Sequence, residues 1–447
     1  MRILWLKSDL LLPLDKGGKL RTWHLMRQLA RHHAITFLGY ADPDQPAADI
    51  EGMGAVASEV ITVPRRDPAK GTMAFYLDAA RHLLDPRPYA VAKYESASYK
   101  AAVMRTLART RYDLIVCDFL PPVVNLPAQL PCPAVLFTHN VESEIWRRHA
   151  STAASTTRRV LYGMQHRRMC RFEARALSRF DGVLAVSDAD RDTFARLYPG
   201  TVRHPVHVVP TGVDTQFFSP WRSDDDGPSP VGSRALVFTG SMDWLPNEDA
   251  MVFFCREVLP LIRAEEPEVT LAIVGRAPTP AVLRLAELPG VSVTGRVDDV
   301  RPAMAEAAVY VVPLRIGGGT RLKIFEAMAM AKAVVSTTVG AEGLPVTAGE
   351  HLMLADEPRG FARAVVRLLR DVDRRRALEQ AARQLVVAKY DWAAVAGDLE
   401  EALMRFAMMT PATLQERTAP GRDVAAARST SAPQVDGTRD GPGLTAG

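Results

Sequence analysis

The sequence predicts an α/β protein made of two doubly wound domains, each a parallel sheet covered by helices on both faces. Three observations carry this expectation. Short apolar runs alternate with longer segments of helical periodicity along most of the chain. The runs are continuous rather than alternating, which is how strands buried on both faces read. The pattern halts at one polar break, SPWRSDDDGPSPVGS (219–233), and starts again beyond it.

In chain order, RILWLK, AITFLGY, DLIVCD, AVLFTH, GVLAVS and VHVVP are the strands of the first half. ALVFTG, VTLAIVG, VSVTG, VYVVPL and AVVSTT are those of the second. The first strand lies in MRILWLKSDLLLPL, where Lys7 and Asp9 interrupt the apolar run and no small-residue cleavage site follows. A strand is expected there rather than an export signal. A chain of 447 residues exceeds one ordinary core. The expected division is a first domain over 1–218, a linker over 219–233 and a second domain over 234–389. A strongly periodic helix, YDWAAVAGDLEEALMRFAMM, follows over 390–409. Residues 410–447 are rich in Ala, Thr, Pro, Gly and Ser with few large apolar side chains, and disorder is expected.

Bulk properties exclude several classes. A net charge of +4 gives no ground for a nucleic-acid partner. Cys117, Cys132, Cys170 and Cys255 form no CxxC pair, which argues against zinc and a disulfide framework and fits a reducing cytoplasm. No 18 apolar residues run together, so no spanning helix is expected. Asp224, Asp225 and Asp226, set among Ser, Gly and Pro in the break, read as solvated linker rather than as metal ligands.

In parallel sheets, ligands bind beyond the carboxyl ends of the strands. Four loops there carry candidate chemistry. LDKGGKL (14–20) places Gly17 and Gly18 before a helix, where a close backbone approach to an anion and a plain turn are both open. THNVESE (138–144) puts His139 and Glu142 at a strand end, as sugar contacts, proton carriers or structural groups. In FTGSMDWLPNEDA (238–250), Gly240 suits close approach, and Asp243 or Asn247 is expected to cap the next helix.

The fourth loop, RIGGGTRLKIFEAMA (315–329), is the most specific. Gly317, Gly318, Gly319 and Thr320 open a helix whose first turn carries Arg321 and Lys323. Cations at that end oppose the helix dipole by about 0.3–1 kcal/mol each, so their presence points to an anion. Exposed N–H groups of the glycines would cradle it, and the cations would grip its oxygens. Glu326 shares a helix face with Lys323, while Leu322, Phe325 and Ala329 are expected to face the core. That set suits a diphosphate joined to a ribose. A surface Lys–Glu pair would leave the triple glycine unexplained.

The stretch GGGTRLKIFEAMAMAKAVVSTTVGAEGL resembles the signature of retaining glycosyltransferases of the glycosyltransferase family 4 group. DKGGKLRTWHLMRQLA, THNVESEIW, VLAVSDAD and VPTGVD are similar to a bacterial subgroup tied to exopolysaccharide and exosortase gene clusters. The resemblance covers nearly all of residues 1–409. It implies the GT-B fold: two Rossmann-like domains facing across a cleft, a helix over 390–409 crossing back, and no metal or other cofactor. It implies that Glu326 binds the donor ribose, that Arg321 and Lys323 stabilise the leaving diphosphate, and that Gly17 and Gly18 close over it. It further implies His139 beside the transferring sugar, and Arg296 and Val297 near the nucleobase. Two departures stand out. Gly318 replaces a second glutamate, and Ser241 and Asn247 replace an Arg and a Lys common in the family.

The expected function is transfer of a sugar, with retention, from a nucleotide-sugar to a glycan or polyprenyl-linked acceptor in surface polysaccharide synthesis in the cytoplasm. A silent nucleotide-sugar-binding partner and a GT-B epimerase are the alternatives. The stretch RRVLYGMQHRRMCRFEARALSRF (158–180) admits two readings. It is either a packed helix with a solvated basic face, or a peripheral contact with an anionic membrane.

Overall fold

The computed structural model of the chain describes residues 1–15, 17–69, 71–153, 155–202, 205–220, 232–316 and 322–409. Residues 1–409 make one compact unit. The expected tail (410–447) and most of the expected linker lie outside the described residues.

The first sheet comprises β1 (Arg2–Leu6), β2 (Ala34–Ala41), β3 (Glu59–Pro64), β4 (Leu114–Asp118), β5 (Ala134–Phe137), β6 (Gly182–Ala185) and β7 (His207–Val208). Their spatial order is β3-β2-β1-β4-β5-β6-β7. The second comprises β8 (Ala235–Thr239), β9 (Thr270–Val274), β10 (Val291–Gly295), β11 (Val309–Val312), β12 (Ala333–Ser336) and β13 (Met353–Leu354), ordered β10-β9-β8-β11-β12-β13. All pairings are parallel. In each sheet the order reverses beside the first strand, between β1 and β4 and between β8 and β11, where a crevice for ligand opens.

Every apolar run expected as a strand is one. β3 and β13 were not foreseen. β3 is an edge strand, half-buried and closed by Pro64, and β13 is only two residues long, so neither presents a continuous apolar run.

One large core surrounds the second sheet, and two flank the first. The helix Trp392–Ala407 belongs to one of the latter: Val395, Leu399 and Leu403 are fully buried beside Trp5, Phe37 and Phe137. Asp391 caps it, accepting from Ala393 N at 2.8 Å. Trp392 stacks on His24 at 5.1 Å. The chain therefore leaves the second sheet to complete the first core, as the sequence led one to expect.

Candidate active site

Beyond β4, the chain ends an apolar strand on a carboxylate. Asp118 is fully buried, so burial alone would raise its pKa, yet Lys7, His139 and Thr22 hold it well below the usual carboxylate range. Lys7 Nζ lies 2.9 Å from Oδ2, which also accepts from Thr22 Oγ1 at 2.7 Å and Trp5 Nε1 at 3.0 Å. Four segments meet on this one group.

His139 Nε2 stands 2.7 Å from Asp118 Oδ1. The separation is within hydrogen-bond reach, and the contact favours the ionised carboxylate. Burial lowers the His139 pKa and the Asp118 charge opposes that lowering only in part, so the imidazole is neutral at neutral pH. The ring sits between Phe137 and Phe119 at 5.3 and 5.2 Å. Phe119 holds φ 85°, a left-handed conformation costing about 1–3 kcal/mol for a bulky residue, directly after Asp118. Gly18 packs against the Nδ1 edge of the ring: a Cβ there would stand 3.3 Å from His139 Nδ1. Two predicted residues, Gly18 and His139, are thus neighbours, and Gly17 begins the adjoining helix Gly17–Leu29.

From that helix Arg21, also buried, reaches Val209 O and lies 4.8 Å over the Phe137 ring; burial lowers its pKa to about 9. Glu142 does not line the cleft described below. Its N–H donates to Glu173 Oε1 at 2.8 Å, and burial with the nearby Glu173 raises its pKa to about 7.

Around the second sheet, the loops after β8 and β9 are zipped together. Gly240 N donates to Val274 O at 3.0 Å and Met242 N to Arg276 O at 2.9 Å. Gly275, at φ 154°, is required: a Cβ there would fall 1.7 Å from Gly240 O. Lys323 folds back onto this loop rather than extending from its helix, Leu322–Ala329. Its Nζ donates to Asn247 Oδ1 at 2.8 Å and lies 4.1 Å from the Phe238 ring centroid. A Cβ on Gly240 would stand 2.9 Å from the Lys323 ammonium.

Asn247 therefore does not cap its helix, as the sequence reading had it. Its Nδ2 instead donates to Ser241 O at 2.9 Å, and the helix Leu245–Phe253 has no side-chain cap. Asp243 accepts from Ser241 Oγ at 2.7 Å. Ser241 Oγ in turn accepts from Arg276 Nε at 2.8 Å. Arg276 was not foreseen: a cation from the loop after β9 stands where the family resemblance leads one to miss an arginine.

Glu326 lies in a recess, enclosed by protein yet still partly reached by solvent. Burial raises its pKa to about 7, against the opposing pull of Lys323. Arg296 is exposed and Val297 half-buried after β10, two strands from β8. Gly317, Gly318, Gly319, Thr320 and Arg321 lie outside the described residues.

A cleft of about 750 Å³ opens between the two sets of strand ends. His139, Ser187 and Asp190 line it from the first half, and Trp244, Leu322 and Phe325 from the second. Leu322 and Phe325 thus form cleft wall as well as core margin, whereas Lys323 and Glu326, expected to look into the cleft, do not line it because Lys323 folds back onto the loop after β8; Phe325 is buried by stacking on Tyr390 at 4.6 Å. Sequence reading also missed the cleft's basic wall, Arg147, Arg148, His149 and Arg196. The triplet RRH (147–149) in the helix Glu142–Thr152 was its visible signal.

Two parallel-sheet halves facing across a cleft, joined by a returning helix, define a GT-B protein. Family models bear this out: Glycosyltransferase Family 4 matches residues 16–217 and Glycosyl transferases group 1 matches 233–371. The chain belongs to the glycosyltransferase family 4 group.

Among its relatives, phosphatidyl-myo-inositol mannosyltransferase of Mycolicibacterium smegmatis is 29% identical over 261 residues, 56% of this chain and 62% of that one. An uncharacterized 44.6 kDa protein in the cps region of Klebsiella pneumoniae is 23% identical over 164 residues, 35% of this chain and 42% of that one. The match spans less than two thirds of either relative.

In fold, the chain is similar to sucrose-phosphate synthase from Thermosynechococcus elongatus, with a TM-score of 0.62 at 17% identity, covering 91% of this chain and 98% of the other. It is similar also to Anabaena HepE in complex with UDP and glucose, with a TM-score of 0.58 at 17% identity, covering 91% and 100%.

Proposed function

We propose that this protein transfers a hexose from a nucleotide-sugar to a hydroxyl of a glycan or polyprenyl-linked acceptor, with retention and without a metal, in cell-surface polysaccharide synthesis at the cytoplasmic side. One observation carries the reading: Lys323 and Arg276 approach the Gly240–Ser241 loop from two different elements, with Glu326 one helical turn beyond Lys323. Two cations around a glycine turn suit a diphosphate, and the recessed carboxylate suits the vicinal hydroxyls of its ribose. UDP in the Anabaena neighbour and the mannosyltransferase name of the mycobacterial relative support a nucleotide-sugar donor.

Departure of a nucleoside diphosphate builds negative charge on its terminal phosphate. Fixed cations aimed there stabilise the transition state more than the ground state. Neutral His139, held by the two aromatic rings and facing Asp118, offers a polar edge to the sugar without adding a competing cation. The acceptor hydroxyl then attacks the oxocarbenium-like sugar from the face the diphosphate leaves, giving its proton to the departing phosphate oxygen as the new C–O bond forms.

The test is transfer and donor hydrolysis with UDP- and GDP-sugars. Turnover that falls in Lys323→Ala supports the proposal. Saturable donor binding with no turnover would assign the chain instead as a silent nucleotide-sugar-binding partner.

A further inference from the structure

The segment after the carboxyl end of β3 carries its apolar face outward. In the helix Met73–Arg81 and the turn His82–Leu84, Met73, Tyr76, Leu77 and Leu84 are 74%, 60%, 63% and 93% exposed. Their spacing makes one stripe. The opposite face fixes the segment: Phe75 packs edge-on against Tyr89 at 6.5 Å, Asp78 Oδ2 accepts from Tyr89 OH at 2.9 Å, and His82 Nδ1 lies 2.8 Å from Asp78 O. A surface helix normally keeps such large apolar side chains off its outer face. A contiguous apolar stripe on a surface marks a contact site.

Charge beside the stripe says what it contacts. Arg168, Arg171 and Arg175 follow one another along the helix Thr156–Arg179 and line a groove with Pro86 and Phe172. Arg168 donates to Leu83 O at 2.7 Å, tying this basic row to the apolar turn. Arg171 and Arg175 are exposed, while neighbouring Asp85 is already held by Arg87 at 2.7 Å. The long helix turns its own apolar side inward, with Met169 and Ala176 buried, so it presents arginines rather than an insertion face.

We propose that residues 73–84 insert into the interface of an anionic bilayer, with Arg171 and Arg175 on the lipid headgroups. An outward apolar stripe bordered by cations is the pattern of a helix lying in the membrane plane. β3 ends on the same side of its sheet as the cleft, so docking would bring a lipid-linked substrate toward the cleft. The surface lies apart from the transfer site, so its test is independent of the proposed reaction.

Flotation of the full chain with phosphatidylcholine vesicles, and with vesicles enriched in phosphatidylglycerol, measures this directly. Binding is expected to the anionic vesicles at low ionic strength and to fall as salt rises. Arg171→Glu/Arg175→Glu is expected to weaken binding at least tenfold, since each arginine near an anionic surface contributes about 1 kcal/mol. Leu77→Asp/Leu84→Asp should also release the protein, with nucleotide binding and unfolding temperature unchanged in both variants. No flotation of the wild type at low salt, or flotation unchanged in both variants, overturns the proposal. So does a concentration-dependent dimer that Leu84→Asp dissolves, which would assign the stripe to a second copy.

Discussion

Two carboxylates at matching places in the two halves have opposite electrostatic fates. Asp118 ends β4 and Glu326 follows β11, the strands at which each sheet's order reverses. Both are recessed. Asp118 collects Lys7, Thr22, Trp5 and His139, and is held firmly ionised. Glu326 has Lys323 as its opposing charge, and burial still lifts its pKa to about 7. The first half has balanced its buried charge within the fold. The second half sets its recessed carboxylate one helical turn from Lys323, with Arg276 on the neighbouring loop, the group that the proposed function assigns to the donor. Under the proposed function the pair contrasts a carboxylate settled within the fold with one reserved for a ligand, on the same topology.

The difference can be broken at either end. The largest effect is expected from Asp118→Ala, which leaves Lys7 buried beside an empty place and costs about 3–5 kcal/mol of stability. Denaturant unfolding measures it; a loss comparable to that of a surface substitution would mean that the network is not structural. Lys323→Ala should leave the fold standing but lower turnover by about 10²–10³, the range for losing one charge-stabilising group. Steady-state transfer kinetics decide this, and wild-type rates would remove Lys323 from the chemistry.

Arg276→Ala comes next. A hydrogen bond to a charged group is worth about 1.5–3 kcal/mol, so nucleoside-diphosphate affinity should fall by about 10–100-fold with little change in stability. Titration calorimetry reads it, and unchanged affinity would leave Arg276 as no more than a prop for Ser241.

The smallest effect concerns pH. Between about 4.5 and 7 native Glu326 keeps a proton that the unfolded chain has released. The native state then binds more protons, so its contribution to stability falls as pH rises through that window. Donor binding has the opposite sign: ribose hydroxyls donate to the ionised carboxylate, so affinity rises toward and above pH 7. Glu326→Gln should flatten both dependences, and a pH profile that survives the substitution would locate the titrating group elsewhere.

What could be read from the sequence followed chain proximity. All strands but β3 and β13 were visible because each is a short apolar run. Lys323 and Glu326 were visible because they share one helix turn behind a glycine run, and His139 because it ends a strand. The partnerships were not. Arg276 meets Ser241 across 35 positions and Lys323 meets Asn247 across 76, so neither pair leaves a local pattern. Asn247 read as a cap because Asn before an apolar helix usually is one. Its amide had a stronger partner in a buried-side ammonium that only the tertiary fold supplies. Residues 73–84 show the same limit: their apolar spacing is that of an ordinary core-facing helix, and the packing of Phe75, Asp78 and His82 inward reveals which way it turns.

The most direct test is a crystal structure of the chain with a bound nucleoside diphosphate. The expected result is phosphate oxygens within hydrogen-bond reach of Lys323 and Arg276, and ribose hydroxyls on the Glu326 carboxylate. A nucleotide seated on the first sheet's Asp118 network, or anywhere that leaves those three side chains untouched, would contradict it.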